Sequence, residues 1–111
     1  MRLITAVAVA VGVLWSSAAS AQDQAKIDQG MKVYVAQKCS LCHSVAGKGN
    51  AKGPLDDAGK LSADDLHQWL VNPVEMAKKA NSTRKPPMKA YASLSKDDQD
   101  ALVAYMLSLK K

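Results

Sequence analysis

Cys39-Ser40-Leu41-Cys42-His43 is the stretch that decides the fold, and it contains both cysteines of the 111-residue chain. Two thiols separated by two residues can form thioethers with the two vinyl groups of one porphyrin, and the histidine that follows can ligate the iron. We therefore predict that Cys39 and Cys42 attach one haem c covalently and that His43 is an axial ligand of its iron.

Three other uses of a Cys-x-x-Cys pair fit this chain less well. A thioredoxin-like redox dithiol normally lies at a strand-to-helix junction of a βαβ unit, and the sequence has no such pattern. A structural zinc site needs four ligands, and the distant His67 does not complete the usual paired spacing. A disulfide across two intervening residues would be sterically awkward and would constrain little of the chain. The sequence therefore favours haem attachment as the role of Cys39 and Cys42.

The first 21 residues have the features of an export signal. Arg2 provides a positive charge, residues 3–15 are apolar, and Ala19-Ser20-Ala21 is a small-x-small cleavage motif. This apolar run is short for a helix that spans a bilayer. We expect residues 1–21 to be removed and residues 22–111 to form a mature domain without a membrane anchor. The expected location is the periplasm, where the motif's thiols can meet haem outside the cytoplasm.

Cleavage would leave 90 residues, which suffice for one small domain. A domain of this size buries a modest fraction of its surface, so a large apolar cofactor can serve as part of its core. The whole chain has 15 lysines and arginines against 10 aspartates and glutamates, a formal net charge of +5. This balance predicts a basic surface, and we expect no nucleic-acid partner.

Apolar periodicity predicts an all-α fold with three main helices. The first helix covers residues 23–38 and carries one apolar stripe, formed by Ile27, Gly30, Met31, Tyr34 and Val35. The second begins after Ser62, an N-cap with Asp65 three residues later, and ends at Asn72-Pro73. The third begins after Ser95 in the same way, and its stripe comprises Leu102, Tyr105, Met106 and Leu109.

Two loops of different character separate these helices. Residues 44–60 contain four glycines and a proline, which predicts turns and leaves no room for a strand. Residues 76–93 contain Lys85-Pro86-Pro87-Met88, which the two prolines hold extended. Met76 and Met88 both lie near this second loop, so the residues alone leave two candidates for the second iron ligand.

The order of these motifs resembles that of class I c-type cytochromes. The resemblance extends over residues 25–109 and includes Gly-Pro-Leu at 53–55, a middle helix that ends in Asn-Pro, a Pro-Met loop and a final helix with a tyrosine. It implies a small cytochrome c fold whose loops surround one covalently bound haem. It also implies that the first and last helices cross closely, with Gly30 and Tyr105 at the contact.

The same resemblance selects Met88 as the second axial ligand, in preference to Met76 and His67. His67 lies inside the middle helix, where a hydrogen-bonded or solvated histidine is the expected state. Ligation by His43 and Met88 would fill the iron's coordination sphere and favour Fe(II) relative to two imidazoles. The implied function is transfer of single electrons between redox partners, without catalysis. The alternative is a ligand-binding, sensor or peroxidase-like haem protein with an open sixth site.

The resemblance also implies further contacts. The backbone of Pro54 would accept a hydrogen bond from His43. From the residues themselves, Trp69 and Tyr91 either reach the haem propionates or line the pocket, or else are buried core residues with one satisfied polar tip. Lysines in or beside the segments expected around the haem edge would suit docking of an acidic redox partner. These are Lys38, Lys48, Lys52, Lys85 and Lys89.

Overall fold

The computed structural model describes the backbone of residues 15–110 and the side chains of residues 23–110. The helices in chain order are α1 (Trp15–Ala36), α2 (Ala63–Val71), α3 (Pro73–Lys79) and α4 (Lys96–Ser108). Two 3₁₀ turns cover Cys39–Leu41 and Ala58–Lys60, and an antiparallel hairpin is formed by β1 (Ser44–Val45) and β2 (Lys48–Gly49). The mainly helical architecture confirms the predicted fold class.

The first helix, α1, begins at Trp15, earlier than the predicted residue 23. Residues 1–14 of the predicted export signal lie outside the described residues, and removal of residues 1–21 stays a prediction. α1 ends at Ala36 because Lys38 has a positive φ of 56° and its N–H bonds back to the Val35 carbonyl at 3.1 Å. Within the described part of the chain, no helix is both long enough and apolar enough to cross a membrane.

α1 and α4 cross at Gly30. A Cβ atom added to Gly30 would lie 2.1 Å from the carbonyl oxygen of Ala101 and 2.7 Å from Cβ of Tyr105, so only glycine permits this approach. Beside the crossing, the rings of Tyr34 and Tyr105 pack edge to face with centroids 5.6 Å apart. The predicted contact between Gly30 and Tyr105 is confirmed.

The orientation of α1 differs from the predicted stripe. Val33 and Tyr34 are buried, whereas Met31 is 47% and Val35 is 74% exposed. Because Gly30 faces α4, residues about 100° or more from it around the helix are turned to solvent, and Met31 and Val35 are in that position. The stripe predicted for α4 is buried as expected, with Leu109 half-buried just beyond the end of the helix.

The N-caps of α2 and α4 form as predicted. The Ser62 hydroxyl accepts the N–H of Asp65 at 3.1 Å, and the Ser95 hydroxyl accepts the N–H of Asp98 at 3.1 Å. Each bond satisfies one of the amide groups that a helix start leaves without a partner. These two caps determine where the chain leaves each of the long loops.

Two predictions about the loops are wrong. Residues 44–60 contain the β1–β2 hairpin, whose turn has positive φ at both Ala46 (51°) and Gly47 (78°), the geometry that suits a two-residue hairpin. Alanine is unusual in such a turn. The predicted stop at Asn72-Pro73 is confirmed, because α2 ends at Val71 with Asn72 as its C-cap. Pro73 also begins α3, because a proline at the first helical position needs no partner for its missing N–H. α3 therefore occupies the start of the predicted 76–93 loop.

Candidate functional site

Cys39, Cys42 and His43 lie on a single tight turn. The Cys39 carbonyl accepts hydrogen bonds from the N–H of Cys42 at 3.1 Å and from the N–H of His43 at 2.9 Å. Residues three apart in a 3₁₀ turn lie above one another, so the two cysteine side chains leave the turn on the same side. Both cysteines are free of disulfides, Cys42 is exposed, and Cys39 is half-buried. This placement fits two thioether bonds to one flat group.

His43 is oriented by a hydrogen bond from its Nδ1 to the carbonyl of Gly53, at 3.0 Å. Because a carbonyl can only accept, Nδ1 carries the hydrogen, and the neutral ring keeps a lone pair on Nε2 for a metal. Burial lowers the pKa of His43, the bond to Gly53 opposes this effect, and the charge of Arg84 lowers the pKa further. A lowered histidine pKa means a neutral ring at pH 7, which is the form that ligates iron.

The acceptor for His43 is therefore Gly53, one residue before the predicted Pro54. The Gly53 carbonyl also accepts the N–H of Ser44 at 3.0 Å, and the Ser44 carbonyl accepts the N–H of Leu55 at 2.8 Å. These bonds place Ser44 opposite Pro54 in a short parallel bridge. Since consecutive carbonyls of an extended segment point in opposite directions, the carbonyl of Gly53 faces the motif. Contact of Pro54 with haem stays a prediction.

The segment that carries Met88 is hydrogen-bonded to the motif through Arg84. Arg84 donates a hydrogen bond from Nη2 to the carbonyl of Cys42. Burial raises the pKa of the Cys39 thiol, and the positive charge of Lys89 opposes that rise, so Lys89 lies near Cys39. Met88 itself is half-buried. The chain thus brings the predicted Met88 loop and the cysteine motif to the same side of the molecule.

Tyr91 extends this contact. Burial raises the pKa of Tyr91, and the charges of Cys39 and Cys42 add to the increase, so the phenol lies near both attachment cysteines. The Lys89 ammonium lies 5.2 Å from the centre of the Tyr91 ring. Lys89 and Tyr91 therefore lie together, close enough to the attachment cysteines to interact with them electrostatically.

The remaining candidates lie elsewhere. Trp69 and Met76 both line a surface cleft of about 290 Å³ between α2 and α3, and this cleft includes no residue of the Cys39–His43 motif. A contact between Trp69 and haem stays a prediction. Nε2 of His67 is hydrogen-bonded to Oε1 of Gln99 at 2.8 Å, which confirms the expected hydrogen-bonded histidine.

A buried hydroxyl provides a further test of whether this region suits a bound group. The Tyr34 hydroxyl has no hydrogen-bond partner among the described residues, and burial, followed by the charge of Cys39, raises its pKa to about 12. A native protein normally satisfies such a group with a ligand or a bound water. Together with the paired thiols and the free Nε2 of His43, this orphaned hydroxyl beside Cys39 fits a site for a covalently attached haem.

Three residues were not predicted from the sequence: Gly53 and Arg84, which contribute to this site, and Gln99, the partner of His67. Gly53 carried no signal that distinguished it from Pro54. Arg84 is the one arginine outside the predicted export signal, and this was the sequence signal that could have identified it as a site residue. Gln99 lies three residues before Leu102 on the stripe of α4, so a buried glutamine could have been inferred from its position.

Comparisons with known proteins agree with these observations. A family model described as Cytochrome c matches residues 27–110. The chain is also 36% identical over 93 residues to cytochrome c oxidase subunit 2 of Alkalihalophilus pseudofirmus, a match that covers 75% of this chain and 25% of that protein. The chain thus spans about a quarter of the length of that relative. No solved structure matches the chain.

Proposed function

The chain belongs to the cytochrome c family, and from this premise we propose that it is an exported monohaem electron carrier with His43 and Met88 as iron ligands. When bound, the haem supplies a single-electron Fe(III)/Fe(II) couple. The observation that carries the proposal is the arrangement of the motif. Cys39 and Cys42 leave one turn on the same side, and His43 is held with Nε2 available by its bond to Gly53.

The protein's own groups then have distinct roles. Cys39 and Cys42 anchor the cofactor, and the Gly53 carbonyl fixes the ring of His43 and increases its basicity as a ligand. Met88 provides a soft thioether that stabilises the reduced state relative to a second imidazole. With His43 and Met88 as its ligands, the iron of a bound haem would have no position left for a substrate, which would suit transfer of electrons rather than catalysis.

Substitution of both cysteines by serine tests the covalent attachment. We expect Cys39→Ser/Cys42→Ser, expressed with a haem-attachment system, to lose all haem that follows the polypeptide through a denaturing gel, because serine cannot form the thioethers. Ser40→Ala, at an exposed position between the two cysteines, is the matched control and should retain full haem staining. Covalent haem in the double variant would contradict the assignment.

Export rests on the pattern of residues 1–21, with its early arginine, apolar run and small-x-small motif. We propose that the mature domain, beginning at Gln22, works in the periplasm. Free thiols tend to oxidise in that compartment, and thioether bonds to haem would protect Cys39 and Cys42 from this oxidation. N-terminal sequencing of the periplasmic fraction should give Gln22 as the first residue.

A redox protein is the proposed partner, and the domain serves as a free carrier or as a subunit of an oxidoreductase complex. The similarity to an oxidase subunit supports the second arrangement. Five exposed lysines support docking of an acidic surface, and none of them forms an ion pair within residues 23–110. They are Lys38, Lys48, Lys52, Lys85 and Lys89. Lys89 lies close enough to Cys39 for its positive charge to lower the pKa of that thiol, and Lys38 directly precedes Cys39 in the chain.

Ionic strength tests this docking surface. We expect the second-order rate constant for electron transfer to the partner to fall by about tenfold or more between low and high salt, because salt screens the attraction that steers the encounter. Lys89→Gln should weaken the salt dependence, whereas Lys78→Gln, whose charge is already paired with Glu75 at 3.3 Å, should leave it unchanged. A rate that does not depend on salt would eliminate the lysine surface as a docking site.

A further inference from the structure

Gln99 is a buried polar residue near the start of α4, with a side chain that is 8% exposed. Its Nε2 donates to the carbonyl of Leu94 at 3.0 Å and to the carbonyl of Ala92 at 3.3 Å. Because carbonyls only accept, these bonds fix the orientation of the amide and leave Oε1 to face His67. Nε2 of His67 must then carry a hydrogen and donate to Oε1, at 2.8 Å. Every hydrogen-bonding atom of this amide is therefore in use.

The residues that Gln99 holds are the end of the loop that carries Met88. Next to them, the N–H of Tyr91 donates to the carbonyl of Leu70 at the end of α2, at 2.7 Å. The N–H of Leu94 in turn donates to the carbonyl of Tyr91, at 3.1 Å. Residues 91–94 are thus fastened both to α2 and to α4.

Residues 83–90, the part of the loop that precedes residues 91–94, have few hydrogen bonds of their own. Among the described residues, no backbone group of 83–90 is hydrogen-bonded to another backbone group. Pro86 and Pro87 have no N–H to contribute. The position of Met88 therefore depends on how firmly the two ends of the loop are held, together with the side-chain bond from Arg84 to the Cys42 carbonyl.

We propose that Gln99, supported by His67, is a positioning residue that clamps residues 92–94 and thereby keeps Met88 in reach of the iron. The inference rests on the proposed function, since it concerns the stability of Met88 ligation. Without the amide, the carbonyls of Ala92 and Leu94 lose buried partners, and the end of the loop gains freedom to move. Met88 would then leave the iron more often while the haem stays attached through Cys39 and Cys42.

The test uses the haem-loaded protein and the variant Gln99→Met, which keeps an unbranched side chain of similar length and removes the amide. We expect the weak far-red band of methionine-ligated Fe(III) to be lost at a lower temperature than in the wild type. We also expect carbon monoxide to bind the reduced variant about fivefold faster or more, since leaving a buried polar group without its partner shifts an equilibrium by a factor of about five or more. Covalent haem should be unchanged.

A matched control separates this role from general destabilisation. Gln29 also donates one hydrogen bond across a half-buried interface, from Nε2 to Oδ1 of Asp98 at 3.0 Å, and among the described residues its side chain forms no hydrogen bond with residues 83–94. Gln29→Met should lower the overall unfolding midpoint and leave carbon monoxide binding at the wild-type rate. His67→Phe, which removes the donor to Gln99, should act in the same direction as Gln99→Met with a smaller effect, and it serves if Gln99→Met does not fold.

The outcomes distinguish this clamp from the proposed ligation. If the wild-type protein binds carbon monoxide slowly and the Gln99 and His67 variants bind it at the same rate, the clamp is wrong and Met88 ligation stands. If the wild-type protein itself binds carbon monoxide rapidly and to full occupancy, Met88 ligation is wrong, and the proposed role of Gln99 is wrong as well.

Discussion

Replacing Met88 with alanine is expected to open the sixth coordination position while the haem stays covalently attached. The far-red methionine band of the oxidised protein should disappear, and the reduced protein should bind carbon monoxide rapidly. The thioether is the ligand that favours Fe(II), so its loss should lower the reduction potential. Axial ligands and surroundings together change haem potentials over a range of about 0.8 V, and the decrease should be a sizeable part of that range. Visible spectra and a potentiometric titration measure these changes.

Met76→Ala is the matched control, because Met76 is the other methionine near the predicted loop but lies in the cleft with Trp69. This variant should keep the far-red band and the wild-type potential. The opposite pattern, with the band lost in Met76→Ala and kept in Met88→Ala, would contradict the position of the Met88 loop beside the motif.

Gly30→Ala should destabilise the fold by about 1–3 kcal/mol, the usual cost of forcing extra atoms into a packed contact. Alanine would favour the helix by about 1 kcal/mol over glycine, so helix propensity alone predicts stabilisation. Packing decides the sign, because the new Cβ would lie 2.1 Å from the carbonyl oxygen of Ala101, a backbone atom that cannot rotate away. Denaturant unfolding of the haem-loaded protein, followed by circular dichroism, measures the difference.

Lys32→Ala provides the comparison on the same helix. Lys32 is exposed on α1, so its replacement should change the free energy of unfolding by less than about 0.5 kcal/mol. If Gly30→Ala were as stable as this control, α1 and α4 would be farther apart at Gly30 than the structure has them.

The parts of the fold that follow local rules were predictable from the sequence. Ser62 and Ser95 each stand three residues before an aspartate and ahead of an apolar stripe, and both form N-caps. The contact of Gly30 with Tyr105 came from the resemblance to a family, because no local rule says which helix a glycine will meet. Cys39, Cys42 and His43 lie on one turn because of their spacing, and their attachment of haem stays a prediction.

The parts that depend on backbone geometry were not predictable in the same way. Ala46 adopts a positive φ of 51° in the hairpin turn, a conformation that alanine rarely takes. The residue types in this segment therefore did not predict β1 and β2. Asn72-Pro73 ends α2 as predicted, but whether a second helix begins at the proline depends on the chain after it. Gly53 replaced Pro54 as the acceptor for His43 because the bridge to Ser44 decides which carbonyl faces the imidazole.

Carbon monoxide binding to the reduced wild-type protein at neutral pH tests the central claim most directly. The claim is that His43 and Met88 both ligate the iron and that the protein therefore carries single electrons. We expect carbon monoxide to bind slowly and incompletely, because Met88 must first leave the iron. Rapid binding to full occupancy would show an open sixth position and would contradict the electron-carrier assignment in favour of a ligand-binding haem protein.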